Sequence, residues 1–199
     1  MKLPPPSFPY PEQVEELQKQ LGKALLRFQH VETSMFQIAH CLMGTTYEIS
    51  SLVFFHSKSA ENKLALLQRL INHKLKQHIR TAHWKPLVGE INDAIQFRNA
   101  ISHFDLMRID GKQMVPPSKY DYAVTDHHHD EFARRSGNVR GLSVEKIEEY
   151  SERTRALALK LVYFMLDHVS GADAAIATFP EGTRRHLAEL KAEPRPPAV

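Results

Sequence analysis

A chain of 199 residues, 42% apolar and 25% charged, carries enough apolar matter for one well-packed core and enough charge to keep it in water. A formal charge of +3 is too small to imply a nucleic-acid partner by itself, and the single cysteine, Cys41, excludes an internal disulfide framework. No apolar run reaches the roughly 18–20 residues of a membrane span, and the start MKLPPPSFPYP has no signal-peptide core, so a cytoplasmic protein without a membrane partner is expected.

Residues 1–11 hold five prolines and read as an extended arm. From Glu12 to about Met43, Leu17, Leu21, Ala24, Phe28, Val31, Met35, Ile38 and Leu42 recur in steps of four and three, which predicts a long helix with one apolar seam, ended by Gly44. Cys41 sits among apolar neighbours in QIAHCLMG and reads as a buried structural thiol. Residues 45–58 read as a connector with an apolar patch. Ser59 is a candidate N-cap for a second helix reaching about Ile79, with Ala60, Leu64, Leu67, Ile71 and Leu75 as its stripe. A third helix starts near Trp84 or Pro86 and runs to Ser102 or His103.

The character then changes. Asp110-Gly111 between two β-prone runs is a short-hairpin signal, so residues 104–142 read as a small hairpin and loop inserted between helices. The run TDHHHDEF within it reads as an exposed loop, since three consecutive histidines do not converge on one ion. Ser143 opens the last long helix, which runs to about Val169 with a stripe of Val144, Ile147, Thr154, Ala158, Leu161 and Met165. Residues 171–199 form a tail with room for one short helix. The expected fold is all-α: an up-and-down four-helix bundle over residues 12–170, one domain, with the hairpin insertion between its third and fourth helices.

Within the third helix, Leu87, Ile91, Ala94, Ile95 and Ile101 form the apolar stripe, and Arg98 falls near its middle. A charge on such a face needs either an acidic partner or an anionic ligand, because an unpaired buried charge costs on the order of 3–5 kcal/mol. Glu32 lies close to the seam of the first helix and Glu61 on the edge of the second helix's stripe, so both are candidate partners. Asn99, Ser102 and His103 follow Arg98 closely. An arginine fork suits a phosphate, a histidine moves protons near neutral pH, and an asparagine orients either one. That set is sufficient for RNA cleavage by attack of the 2′-OH on the adjacent phosphate, without a metal or other cofactor.

Arginine, asparagine and then histidine at a helix end, RNAISH at 98–103, resembles the R-x4–6-H motif of the HEPN superfamily. The helix order and the place of the motif late in the third helix are also similar, over roughly residues 12–168. The resemblance implies a bundle that dimerises so that two motifs face one cleft, and a metal-independent endoribonuclease of the toxin–antitoxin or defence kind. Carried over by residue, Arg98 would bind phosphate, His103 would be the acid and base, and Asn99 would support them. It also implies an RNA substrate and room for an antitoxin-like partner protein.

Between Lys58 and Lys85 the chain carries seven Lys or Arg and only Glu61 as an acid. Lys63, Arg69, Lys74, Lys76 and Arg80 are therefore candidate RNA contacts, against the simpler reading of a solvated helix face. Three functions stay open: the ribonuclease; a non-catalytic dimeric module of the same fold, with Arg98 in a structural ion pair and a protein or nucleotide as its partner; and a small-molecule-binding bundle.

Overall fold

The computed structural model describes residues 11–102 and 144–192, and among them every regular element is helical. In chain order these are α1 (Pro11–Met43), α2 (Tyr47–His56), α3 (Ala60–Lys74), a single turn α4 (Gln77–Ile79), a π-helical turn (Arg80–Trp84), α5 (Lys85–Ser102), α6 (Val144–His168), α7 (Ala172–Ile176) and α8 (Glu181–Ala192). No helix among the described residues is long and apolar enough to cross a membrane. The hairpin and loop expected over 104–142, with the histidine run, and the arm expected at the N-terminus up to residue 10 lie outside the described residues.

The apolar stripes do what their spacing predicts. Ala24, Phe28, Val31, Met35, Ile38 and Leu42 of α1 are buried, as are Leu64, Leu67 and Ile71 of α3 and Ile147, Leu161 and Met165 of α6. Gly44 ends α1 in the left-handed conformation, at φ 65°. Cys41 is buried, and loss of solvent pushes its thiol up to about 12, which leaves it unreactive at neutral pH.

Four expectations need correction. The stretch 45–58, read as a connector, holds the helix α2: Thr46 caps it, its side chain accepting from the Ile49 N–H, with Glu48 in the first turn. The helix begun at Ser59 stops at Lys74, where Leu75 turns extended, and does not reach Ile79. The chain then re-enters a helix at Gln77, well before Trp84. The π-helical bond from the Lys85 N–H to the Arg80 carbonyl falls immediately ahead of Pro86, the residue that cannot donate, so the wider register absorbs the proline. The tail holds two short helices rather than one.

The described residues form two compact units. The first takes residues up to 30, 90–102 and 144–156. Its core includes Phe28, Ile91, Ile95 and Ile147; Phe97 stacks on Tyr150 with centroids 3.9 Å apart, and the Tyr150 hydroxyl donates to the Ala94 carbonyl at 2.9 Å. On its surface Arg27 donates to Glu152 at 2.6 Å and Lys23 stands 3.8 Å from the same carboxylate.

The second unit takes residues 31–89 and those after 156. Its core is rich in rings: Phe36 lies 5.6 Å from Phe54 and 5.3 Å from Tyr47, and Trp84 lies 5.3 Å from Phe164. Ser34 donates to the Ala158 carbonyl at 3.3 Å, tying α1 to α6 within this unit.

Candidate functional site

Arg98 belongs to the first unit, one turn before the end of α5. The backbone there follows from Ile91, Ala94, Ile95 and Ile101, all buried, which fix which way the helix faces. Arg98 is half-buried, and its guanidinium lies over the Phe28 ring at 5.6 Å. Its Nη1 donates to the Asn99 amide oxygen at 3.0 Å. Among the described residues no carboxylate comes within ion-pair distance of it, and one of its five N–H donors is committed to Asn99. The ring face holds the planar cation by cation–π attraction without neutralising it.

Two neighbours shape this place further. The Ser102 hydroxyl donates back to the Arg98 carbonyl, four residues earlier in the same helix, at 2.8 Å. Burial pushes the Tyr150 phenol well up, and the Arg98 charge pulls it partly back, so the phenol stays neutral beside the guanidinium. His103 lies outside the described residues. The site as described is therefore a cation with an amide beside it on an apolar helix face, a set that can bind and orient an anionic oxygen.

Glu32 stands in the second unit, where its carboxylate accepts from Lys63 at 3.1 Å. The pairing expected with Arg98 is thus made with a different cation. Lys63 is 8% exposed and its ammonium also sits 5.2 Å from the Phe55 ring, so it does not present its charge to an RNA phosphate. Glu61 is exposed in the first turn of α3. Of the remaining cations, Arg69, Lys74 and Lys76 are exposed. Arg80 is half-buried, donating to Asn72 at 3.3 Å and to Gln77.

A second polar cluster was not apparent from the sequence. His40 is 1% exposed, and both ring nitrogens meet hydroxyls: Nδ1 lies 2.9 Å from Ser50 Oγ and Nε2 lies 2.8 Å from Thr178 Oγ1. The Thr178 hydroxyl donates its one proton to the Ala175 carbonyl at 2.7 Å, so the partners assign the donor proton of His40 to Nε2 and make Nδ1 the acceptor from Ser50. Thr45 lies 2.9 Å from Ser50 and completes the chain of hydroxyls. Burial holds His40 below its ordinary pKa, in its neutral form. Ser50 is fully buried, so no substrate reaches it as a nucleophile, and the cluster is structural. The only sequence signal was a histidine inside the apolar run QIAHCLMG; its partners stand 10 and 138 residues away.

His83 and His168 also stack, with centroids 4.3 Å apart. No group of three or more His, Cys, Asp or Glu side chains among the described residues is placed to hold a metal ion. No protein-family model matches the chain, and no curated protein or solved structure does.

Proposed function

We propose that the chain is a metal-independent endoribonuclease of the HEPN type, an up-and-down helical bundle acting as a homodimer on RNA. In this reading Arg98 binds the scissile phosphate and stabilises charge on its oxygens, Asn99 orients the guanidinium, and His103 transfers the protons. The 2′-OH attacks the adjacent phosphorus while the bond from phosphorus to the 5′ oxygen breaks. The proton leaving the 2′-OH is taken by a histidine and one is returned to the departing 5′ oxygen, leaving a 2′,3′-cyclic phosphate and a 5′-OH. Exposed Arg69, Lys74 and Lys76 serve as phosphate contacts outside the reacting centre, and Lys63, tied to Glu32, does not.

The observation that carries this reading is the state of Arg98. It is a half-buried cation set on an apolar helix face, held by a ring and a neighbouring amide, with no carboxylate against it among the described residues. A cation kept for register would be expected to face an acid, as Lys63 does. A cation kept for an anionic ligand would be expected to face no acid, and among the described residues Arg98 faces none.

The test compares wild type with Arg98→Ala and His103→Ala in EDTA, on a mixed pool of cellular RNA, with product ends mapped. Cleavage by wild type leaving cyclic phosphate ends, reduced at least about 100-fold in both variants, is the expected result. Equal inertness of all three proteins would leave a non-catalytic helical module as the better account.

A further inference from the structure

Six large apolar side chains among the described residues stand exposed, and four of them, Ile49, Leu52, Val53 and Phe55, lie on the ten-residue α2. Soluble surfaces scatter such residues singly, so their concentration on one short helix marks an interaction face. The opposite side of α2 is already anchored. Phe54 is buried and packs 5.6 Å from Phe36, and Ser50 is buried against His40. Phe55 is shared between the two sides: its ring touches Phe36 at 5.1 Å and Lys63 at 5.2 Å, yet 47% of the residue stays exposed beside Ile49, Leu52 and Val53.

The pattern on that face identifies what would cover it. Leu52, 73% exposed, is its centre. At 100° per residue, Glu48 and His56 lie about 40° to either side of it, one turn before and one turn after, and Ile49 and Phe55 lie about 60° to either side. The face is symmetric about Leu52 in position and complementary at its ends, with a carboxylate that accepts at Glu48 and an imidazole that donates at His56. The Glu48 carboxyl is held below its usual range by its own backbone N–H and the Thr46 hydroxyl, so it is ionised at neutral pH.

We infer that α2 is a homotypic docking surface, on which the α2 of a second copy of this chain packs antiparallel about a two-fold axis at Leu52. That axis brings the two Leu52 side chains together, sets Ile49 level with the partner's Phe55, and sets Glu48 level with the partner's His56. The imidazole can donate to the carboxylate whether it is neutral or protonated. A parallel arrangement would set Glu48 level with Glu48 and lose both contacts. The inference does not depend on Arg98 acting on RNA.

Sedimentation velocity of the full chain across a concentration series tests it, with circular dichroism confirming that each variant keeps its helices. Wild type is expected to reach twice the mass of one chain. Leu52→Glu, which puts two carboxylates on the axis, is expected to return it to the mass of one. Glu48→Lys and His56→Glu should each weaken association at low salt, and the two together should restore it, because a lysine then faces a glutamate across the seam at both ends. A wild type that stays at the mass of one chain overturns the proposal. So does a dimer that survives Leu52→Glu, or a double variant no better than either single one. Mass and RNA cleavage are read separately: a single-chain mass removes this surface and the proposed homodimer together, whereas a dimer that depends on Leu52 but cleaves no RNA leaves this surface standing and removes only the ribonuclease.

Discussion

Lys63 and Arg98 are two cations on apolar helix faces, and the molecule treats them in opposite ways. Lys63 is nearly sealed, with the Glu32 carboxylate at 3.1 Å and the Phe55 ring at 5.2 Å from its ammonium. Arg98 has a ring too, Phe28, at 5.6 Å, but its polar neighbour is the neutral amide of Asn99. The first arrangement closes the electrostatics within the fold. The second leaves the charge without a carboxylate among the described residues, which is the feature the proposed phosphate contact rests on. A ring beneath a cation is thus common to both, and what differs among the described residues is the polar neighbour, a carboxylate for Lys63 and a neutral amide for Arg98.

The Lys63 side gives the largest expected change in stability. Lys63→Met leaves the Glu32 carboxylate, whose side chain is 17% exposed, without its partner, and should cost about 3 kcal/mol in urea unfolding. Adding Glu32→Gln should recover most of that loss, since both members of the pair are then neutral. A Lys63→Met protein as stable as wild type would break the comparison, because Lys63 would then be as dispensable to the fold as Arg98 is held to be.

His40 sharpens the comparison with a polar group closed entirely by neutral partners. His40→Leu should cost about 2 kcal/mol, because buried Ser50 loses the acceptor it donates to. The pH dependence has a definite sign. The folded state holds His40 neutral, with its pKa below the ordinary 6.5, so the unfolded chain takes up the extra proton first as pH falls. The stability from His40 is thus present above 6.5, falls as pH drops below it, and levels once the folded group also titrates. Thermal unfolding between pH 5 and 8 should show that slope in wild type and lose it in His40→Leu.

The smallest effect belongs beside Arg98. Tyr150→Phe removes one hydrogen bond, to the Ala94 carbonyl, while keeping the stack on Phe97, and should cost about 1 kcal/mol. It should leave the helix beneath Arg98 in place, so any RNA cleavage should survive it.

Much of the fold was legible because apolar spacing reports which side of a helix is buried, and the stripes of α1, α3, α5 and α6 lie where that spacing puts them. The same reasoning missed α2 because its apolar residues lie on both faces: Phe54 is buried while Ile49, Leu52, Val53 and Phe55 are exposed, so no period stands out. The stop at Leu75 has no glycine or proline to announce it. At the site, spacing correctly placed Arg98 and Glu32 near buried faces. It did not show that Lys63 takes the Glu32 carboxylate, because Lys63 reads as one cation in a solvated run and only the packing turns it inward. Partners far apart in the chain, such as His40 and Thr178, leave no local pattern at all.

On the function proposed above, Arg98 is a charge held for a ligand and not for the fold. Urea unfolding of Arg98→Met, beside wild type and Lys63→Met, tests it most directly and without any knowledge of the substrate. The account predicts an Arg98→Met protein at least as stable as wild type, since an apolar chain of similar length replaces a cation that no carboxylate among the described residues neutralises. A loss of about 3 kcal/mol, matching Lys63→Met, would contradict it and make Arg98 a structural charge.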